Sequence, residues 1–133
     1  MGVRIKVDAQ AVSKSLLKSA RNADNMRAAF EEVGEIVHAS VMRNFEDEGR
    51  PKWQRMAPGG RSGKLLQDSS RLIRSIKPRA TSRFAEVCTN VEYAPYHQIG
   101  TGSIPARPFI MLQDEDMPEI RAAILDHLKG DFE

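Results

Sequence analysis

Few residues of this chain invite chemistry, and each is short of the partners that chemistry would need. Gly59-Gly60-Arg61-Ser62-Gly63-Lys64 has the small residues and the lysine of a loop that cradles phosphate on its backbone N–H groups. That motif requires a glycine where Pro58 stands and a magnesium-holding Ser or Thr where Leu65 stands, and no strand feeds it, so nucleotide binding is not expected. His38, His97 and His127 are too far apart in sequence for any pair to form a zinc motif of the H-x-x-x-H kind. Cys88 has no C-x-x-C partner and, as the only cysteine, excludes an internal disulfide; within Phe84–Thr89 it is expected to be a small buried apolar residue. No G-x-S-x-G elbow offers a nucleophile. Asp114, Glu115 and Asp116 cluster, but as the solvated start of a helix, where acids favour the dipole. No catalytic, cofactor-binding or metal-binding residue is assigned, and an enzyme is not expected.

Charge is more informative. Residues 49–83 hold ten Lys or Arg against one acid, Asp68, so the segment carries +9 in a chain of net charge +2 and the remainder carries −7. Such segregation points to a protein that meets nucleic acid, or copies of itself with basic surface against acidic. Arg50, Lys52, Trp53, Arg55, Arg61 and Lys64 are the candidate contacts, in a loop over about residues 49–64 that is long unless it has a task or orders on assembly. A nucleic-acid-binding protein using residues 49–83 is the alternative reading, through phosphate contacts and stacking on Trp53. Aromatics are only 6% of the chain and no nucleic-acid-binding motif is present, which favours protein contact.

The elements that must position these residues follow from periodicity. Val3, Ile5 and Val7 alternate with Arg4, Lys6 and Asp8, as in a half-buried strand. A modest helix is expected over residues 9–21. A second, much longer one has Met26, Phe30, Val33, Val37, Val41 and Phe45 on one face, Asp24 as its N-cap, and Gly49 and Pro51 to stop it. Leu65, Leu66, Ser69, Leu72, Ile73 and Ile76 suggest a short amphipathic helix. Residues 76–79 and 84–90 form a hairpin whose first strand is held to an edge by Pro78. Asp116-Met117-Pro118-Glu119 opens a last helix that Gly130 ends. The expected fold is a single α+β domain, residues 1–133, with an antiparallel sheet (N-terminal strand plus hairpin) packed on the long helix and a C-terminal helix. No apolar run spans a bilayer, and charge alternates with apolar residues from Met1 to Lys6 as it would not in a signal peptide, so a soluble, cytoplasmic protein is expected.

One stretch is odd for a plain loop. Tyr93-Ala94-Pro95-Tyr96-His97-Gln98-Ile99-Gly100 places two tyrosines and a histidine in a compact turn, and Ile104-Pro105-Ala106-Arg107-Pro108-Phe109 stiffens the exit. Arg107, between two prolines, is aimed as if at a carboxylate. The plain alternative is an internal loop with the tyrosines and Phe109 anchored in the core. Thr89 to Ile110 resembles the signature of phage virion morphogenesis proteins, a strand ending in T-N followed by Y-A-x-x-H-Q-x-G and I-P-A-R-P-F. Asn44-Phe45, Pro51, Trp53, Lys64-Leu65-Leu66 and Arg71–Ile76 stand in that family's order, so the resemblance covers roughly residues 25–129. Ile110-Met111 after R-P-F, and a short glycine-rich stretch before Lys64, depart from it.

These are the tail-completion proteins of Mu-like and P2-like contractile-tailed phages and prophages. The resemblance implies a protein without catalysis that completes or caps the head-proximal end of the tail so that a filled head can join. It implies a ring of copies, six in keeping with the tail's symmetry, contacting the tail tube and neck or head-completion proteins, with DNA passing through the channel and no membrane involved. It places the protein in the host bacterial cytoplasm during assembly and then in the virion tail or neck. Tyr93, Tyr96, His97, Gln98, Gly100, Arg107, Pro108 and Phe109 are expected mainly to hold the fold, while the basic loop does the joining.

Overall fold

The computed structural model describes residues 2–8, 23–56, 63–67 and 70–132. The helix expected over residues 9–21, the loop tip with Arg61, and the Asp24 side chain lie outside the described residues. β1 (Val3–Asp8), β2 (Lys77–Ala80) and β3 (Phe84–Thr89) form an antiparallel sheet in the order β1-β3-β2. The register sets Arg4 opposite Cys88 opposite Lys77, and Lys6 opposite Glu86 opposite Arg79. Because side chains alternate in a strand, these residues share one face of the sheet, and Ile5, Val87 and Pro78 share the other. Pro78 stands on an edge strand, where its missing N–H costs the ladder least.

The inner face packs on α1 (Ala23–Glu46), the long helix. Its stripe of Phe30, Val33, Val37, Val41 and Phe45 is fully buried, and Gly34 faces the edge strand, where an added Cβ would make ordinary contact with Pro78 Cβ at 3.6 Å. α1 stops where Glu48 and Gly49 adopt left-handed backbone (φ 55° and 103°), with Gly49 N–H donating back to the Asn44 carbonyl at 2.7 Å. On its other flank α1 packs against α4 (Asp116–Phe132) through Ile120, Ala123 and Ile124.

Between these lie two short helices, α2 (Arg71–Ser75) and α3 (Ala94–Ile99). The first is shorter than its sequence suggests. Leu65 is buried in a turn rather than a helix, and Leu66 and Ser70 are both left-handed (φ 61°), which breaks the helical run before Arg71. The second replaces an expected turn, with Pro95 in its first turn, where a missing N–H does no harm. α4 runs through Gly130 to Phe132, since a glycine inside a helix only weakens it. No helix among the described residues is long and apolar enough to cross a membrane.

Candidate functional site

The end of α1, the start of the basic loop and the start of α4 are clasped by a buried polar network. Asn44, 1% exposed, donates from Nδ2 to the carbonyls of Phe109 (2.8 Å) and Met111 (3.0 Å) and accepts from Arg50 Nε at 2.8 Å. Arg50 also donates to the Ser40 carbonyl (2.7 Å), to Ser40 Oγ (2.8 Å) and to Glu115 (3.0 Å). Asp116, expected to be solvated, is instead 1% exposed. Its Oδ2 accepts from Ser40 Oγ at 2.6 Å and from Gln113 N–H at 2.8 Å, and Arg43 approaches Oδ1 at 3.4 Å. A buried carboxylate requires such donors, and α1 supplies two of them from one face. Asn44 entered the sequence reading only through the resemblance, and Ser40 not at all; a serine four residues before an asparagine within an apolar stripe was the available signal.

The tyrosine–proline stretch is fastened to this clasp. Gln98 Oε1 accepts from the N–H groups of Phe109 and Ile110 (both 3.1 Å), and its Nε2 donates to the Ile110 carbonyl at 2.9 Å. Phe109 is fully buried, 5.4 Å from the Phe45 ring centroid. Gly100 has φ 86°, and a Cβ there would lie 2.8 Å from Ala106 N. Arg107 Nε donates to a backbone carbonyl, that of Gln54 (2.9 Å), and its own N–H donates to the His97 carbonyl (2.7 Å), so the signature stretch and the basic loop are bridged. His97 packs edge-on to Tyr93 at 5.8 Å; burial first, and the Arg107 charge second, hold its pKa below the ordinary value. Its Nδ1 is buried without a hydrogen-bond partner among the described residues. Tyr96 does not join the core: it is 54% exposed, and Ile99, one turn on, is 76% exposed.

The basic residues are distributed differently from their order in sequence. Trp53 is 4% exposed, packs edge-on to Phe45 at 5.8 Å and donates from Nε1 to the Pro108 carbonyl at 2.9 Å, so it and Arg50 serve the interior of the fold. Lys52 donates to the Asp47 carbonyl and Lys64 to that of Glu46 (3.1 Å), so both hold the end of α1. Arg55 lies 3.4 Å from Glu48, whose carboxylate also accepts the Leu65 N–H at 2.9 Å; that hydrogen bond is the main reason its pKa is lowered. Arg71 pairs with Glu92 through two bonds of 3.0 Å. The outer face of the sheet, by contrast, carries Arg4, Lys6, Lys77 and Arg79, all exposed. Glu86 lies beneath them, 5% exposed, 2.8 Å from Arg79 and 3.9 Å from Arg4. Cys88, expected to be buried, is half-exposed because it points to this face.

Among the described residues, no three His, Cys, Asp or Glu side chains converge as a metal ion would require. The model of the phage virion morphogenesis family matches residues 7–129. Mu-like prophage FluMu G protein 2 of Haemophilus influenzae is 30% identical over 129 residues, spanning 92% of this chain and 92% of its own. Mu-like prophage FluMu G protein 1 of the same organism is 26% identical over 137 residues, 93% of each chain. No solved structure matches.

Proposed function

The chain belongs to the phage virion morphogenesis family, and from that premise we propose that it completes or caps the head-proximal end of a contractile phage tail and supports head–tail joining as a ring of identical copies. Family membership itself gives the coarser statement, a structural or assembly role in building a phage virion. The finer reading takes its support from one composite surface. Arg107 ties α3, with its exposed Tyr96 and Ile99, to the basic loop at Gln54, next in sequence to the exposed Arg55, so an apolar knob is joined to the start of the basic segment. Apolar anchors beside charge are what a protein–protein contact uses. On this reading the partners are further copies of the chain, the tail tube and a neck or head-completion protein, met in the host cytoplasm and kept in the virion.

The test is the mass of the protein alone and mixed with purified tail tubes, together with micrographs of particles made without it. Capture on the tube as a ring, and tails that fail to join filled heads when the protein is absent, are the expected results. Normal joining in its absence would sink the proposal. Strong, steeply salt-dependent retention of duplex DNA by the isolated protein would favour the nucleic-acid reading of residues 49–83 instead.

A further inference from the structure

The ring reading leaves open which surfaces meet, and two surfaces of opposite sign, the outer sheet face and a groove beside α1, supply an answer that rests on it. One is the outer sheet face, where Arg4, Lys6, Lys77 and Arg79 surround Glu86. Two arginines already neutralise that glutamate and cover it, and with Asp8 also on this face four cations still outnumber two acids, so the charge left is positive. The aliphatic and aromatic parts of this face are solvent-side too: Lys6 lies over the Phe84 ring at 4.3 Å, and Cys88 sits between Arg4 and Lys77. The other is a groove of about 470 Å³ between α1, β2 and α4, where Glu31, Glu32 and Glu35 of α1 outnumber the cationic Arg79 at its β2 rim and His127 stands opposite.

Glu32 is paired with His127 at 2.9 Å, but Glu31 and Glu35 have no salt bridge among the described residues. They stand one helical turn apart, a like-charge spacing that disfavours the helix unless cations arrive from outside. α1 packs on the inner face of the sheet, so its glutamates lie on the other side of the sheet from Arg4, Lys6 and Lys77, and the two surfaces adjoin only at Arg79 on the edge strand. A two-fold dimer through either face would set like charge on like. A head-to-tail contact sets basic on acidic and leaves each copy with one face free for the next, the kind of contact from which a ring is built when the rotation between copies closes.

We infer that the outer sheet face of one subunit, through Arg4, Lys6 and Lys77, docks on the Glu31–Glu35 groove of a second copy. The test uses the full chain, with and without tail tubes, and measures the concentration at which the ring forms. Glu31→Lys with Glu35→Lys, and separately Arg4→Glu with Lys77→Glu, are each expected to raise that concentration at least about tenfold, and combining all four in one chain is expected to restore assembly. A Glu35→Cys variant supplies a second measurement, since Cys88 is the only native cysteine: a short bis-maleimide should link residue 35 of one copy to Cys88 of its neighbour. Unchanged assembly in both reversed variants, with no crosslink, would overturn this contact while leaving the ring in place. A wild-type chain that stays monomeric both alone and on tubes would overturn the ring and the contact together. Salt-dependent DNA binding that the sheet-face reversals abolish, with ring formation intact, would give that face to DNA and also overturn the inference.

Discussion

Asn44 makes three hydrogen bonds from a site with almost no access to water, and two of them satisfy backbone carbonyls of the segment that carries Phe109. Asn44→Ala removes both donors, strands those carbonyls and leaves Arg50 with one acceptor fewer, so a loss of about 2–4 kcal/mol is expected in urea denaturation. A loss below about 0.5 kcal/mol would mean that the clasp does not hold the fold. Two titrating groups give this subunit a pH dependence whose sign is fixed. Glu48 has its pKa lowered from 4.5 by the Leu65 N–H, so it contributes stability above that value and loses it as the pH falls through the folded-state pKa. His97 is also lowered, from 6.5, by burial and Arg107, and because the unfolded chain takes up that proton first, stability is present above pH 6.5 and declines below it. Replacing His97→Gln should flatten the decline of melting temperature just below pH 6.5 while leaving the acid limb set by carboxylates; identical profiles would remove His97 from this role.

At the scale of elements, the parts built from strict periodicity were legible in the sequence: β1 from its alternation, α1 from its stripe, and β2 as an edge from Pro78. What was not legible depended on distant partners. Nothing in Asp114-Glu115-Asp116 itself says that the third acid turns inward, because besides the nearby Gln113 N–H its donors are Ser40 and Arg43, more than seventy residues away. The same holds for α3, whose six residues are too few to form a helix alone and are held by Gln98 bonding to residues 109 and 110. Trp53 shows the cost of judging a residue by its loop. Surrounded in sequence by arginine, lysine and glycine, it suggested a contact surface, yet it fills the space beside Phe45 and binds the Pro108 carbonyl. Trp53→Ala should therefore destabilise the protein by about 3–5 kcal/mol, as for a core aromatic, with Trp53→Phe losing less because an aromatic ring stays beside Phe45 while the hydrogen bond and part of the packing go. Unchanged thermal melts for both would return Trp53 to the surface.

For the whole molecule, the question is which exposed features belong to the virion rather than to the subunit. Ile99 separates the two: at 76% exposure it contributes little to the core, and an isolated surface isoleucine would be unremarkable. Its setting is what gives it weight, because Tyr96 stands one turn away on the same short helix, and that helix is fastened by Gln98 to the core and through Arg107 to the basic loop. A rigid apolar knob loses little conformational freedom on docking, so it is an efficient anchor, and a charge placed on it would have to be desolvated at the contact. Ile99→Asp should leave subunit stability within about 0.5 kcal/mol of wild type yet abolish incorporation into tails, while Ile99→Leu should keep both. Purified variant protein, thermal melts and a count of completed particles decide it. Normal particle yield from Ile99→Asp would remove α3 from the contact and leave the charged surfaces to carry assembly, in which case joining should weaken sharply as salt is raised.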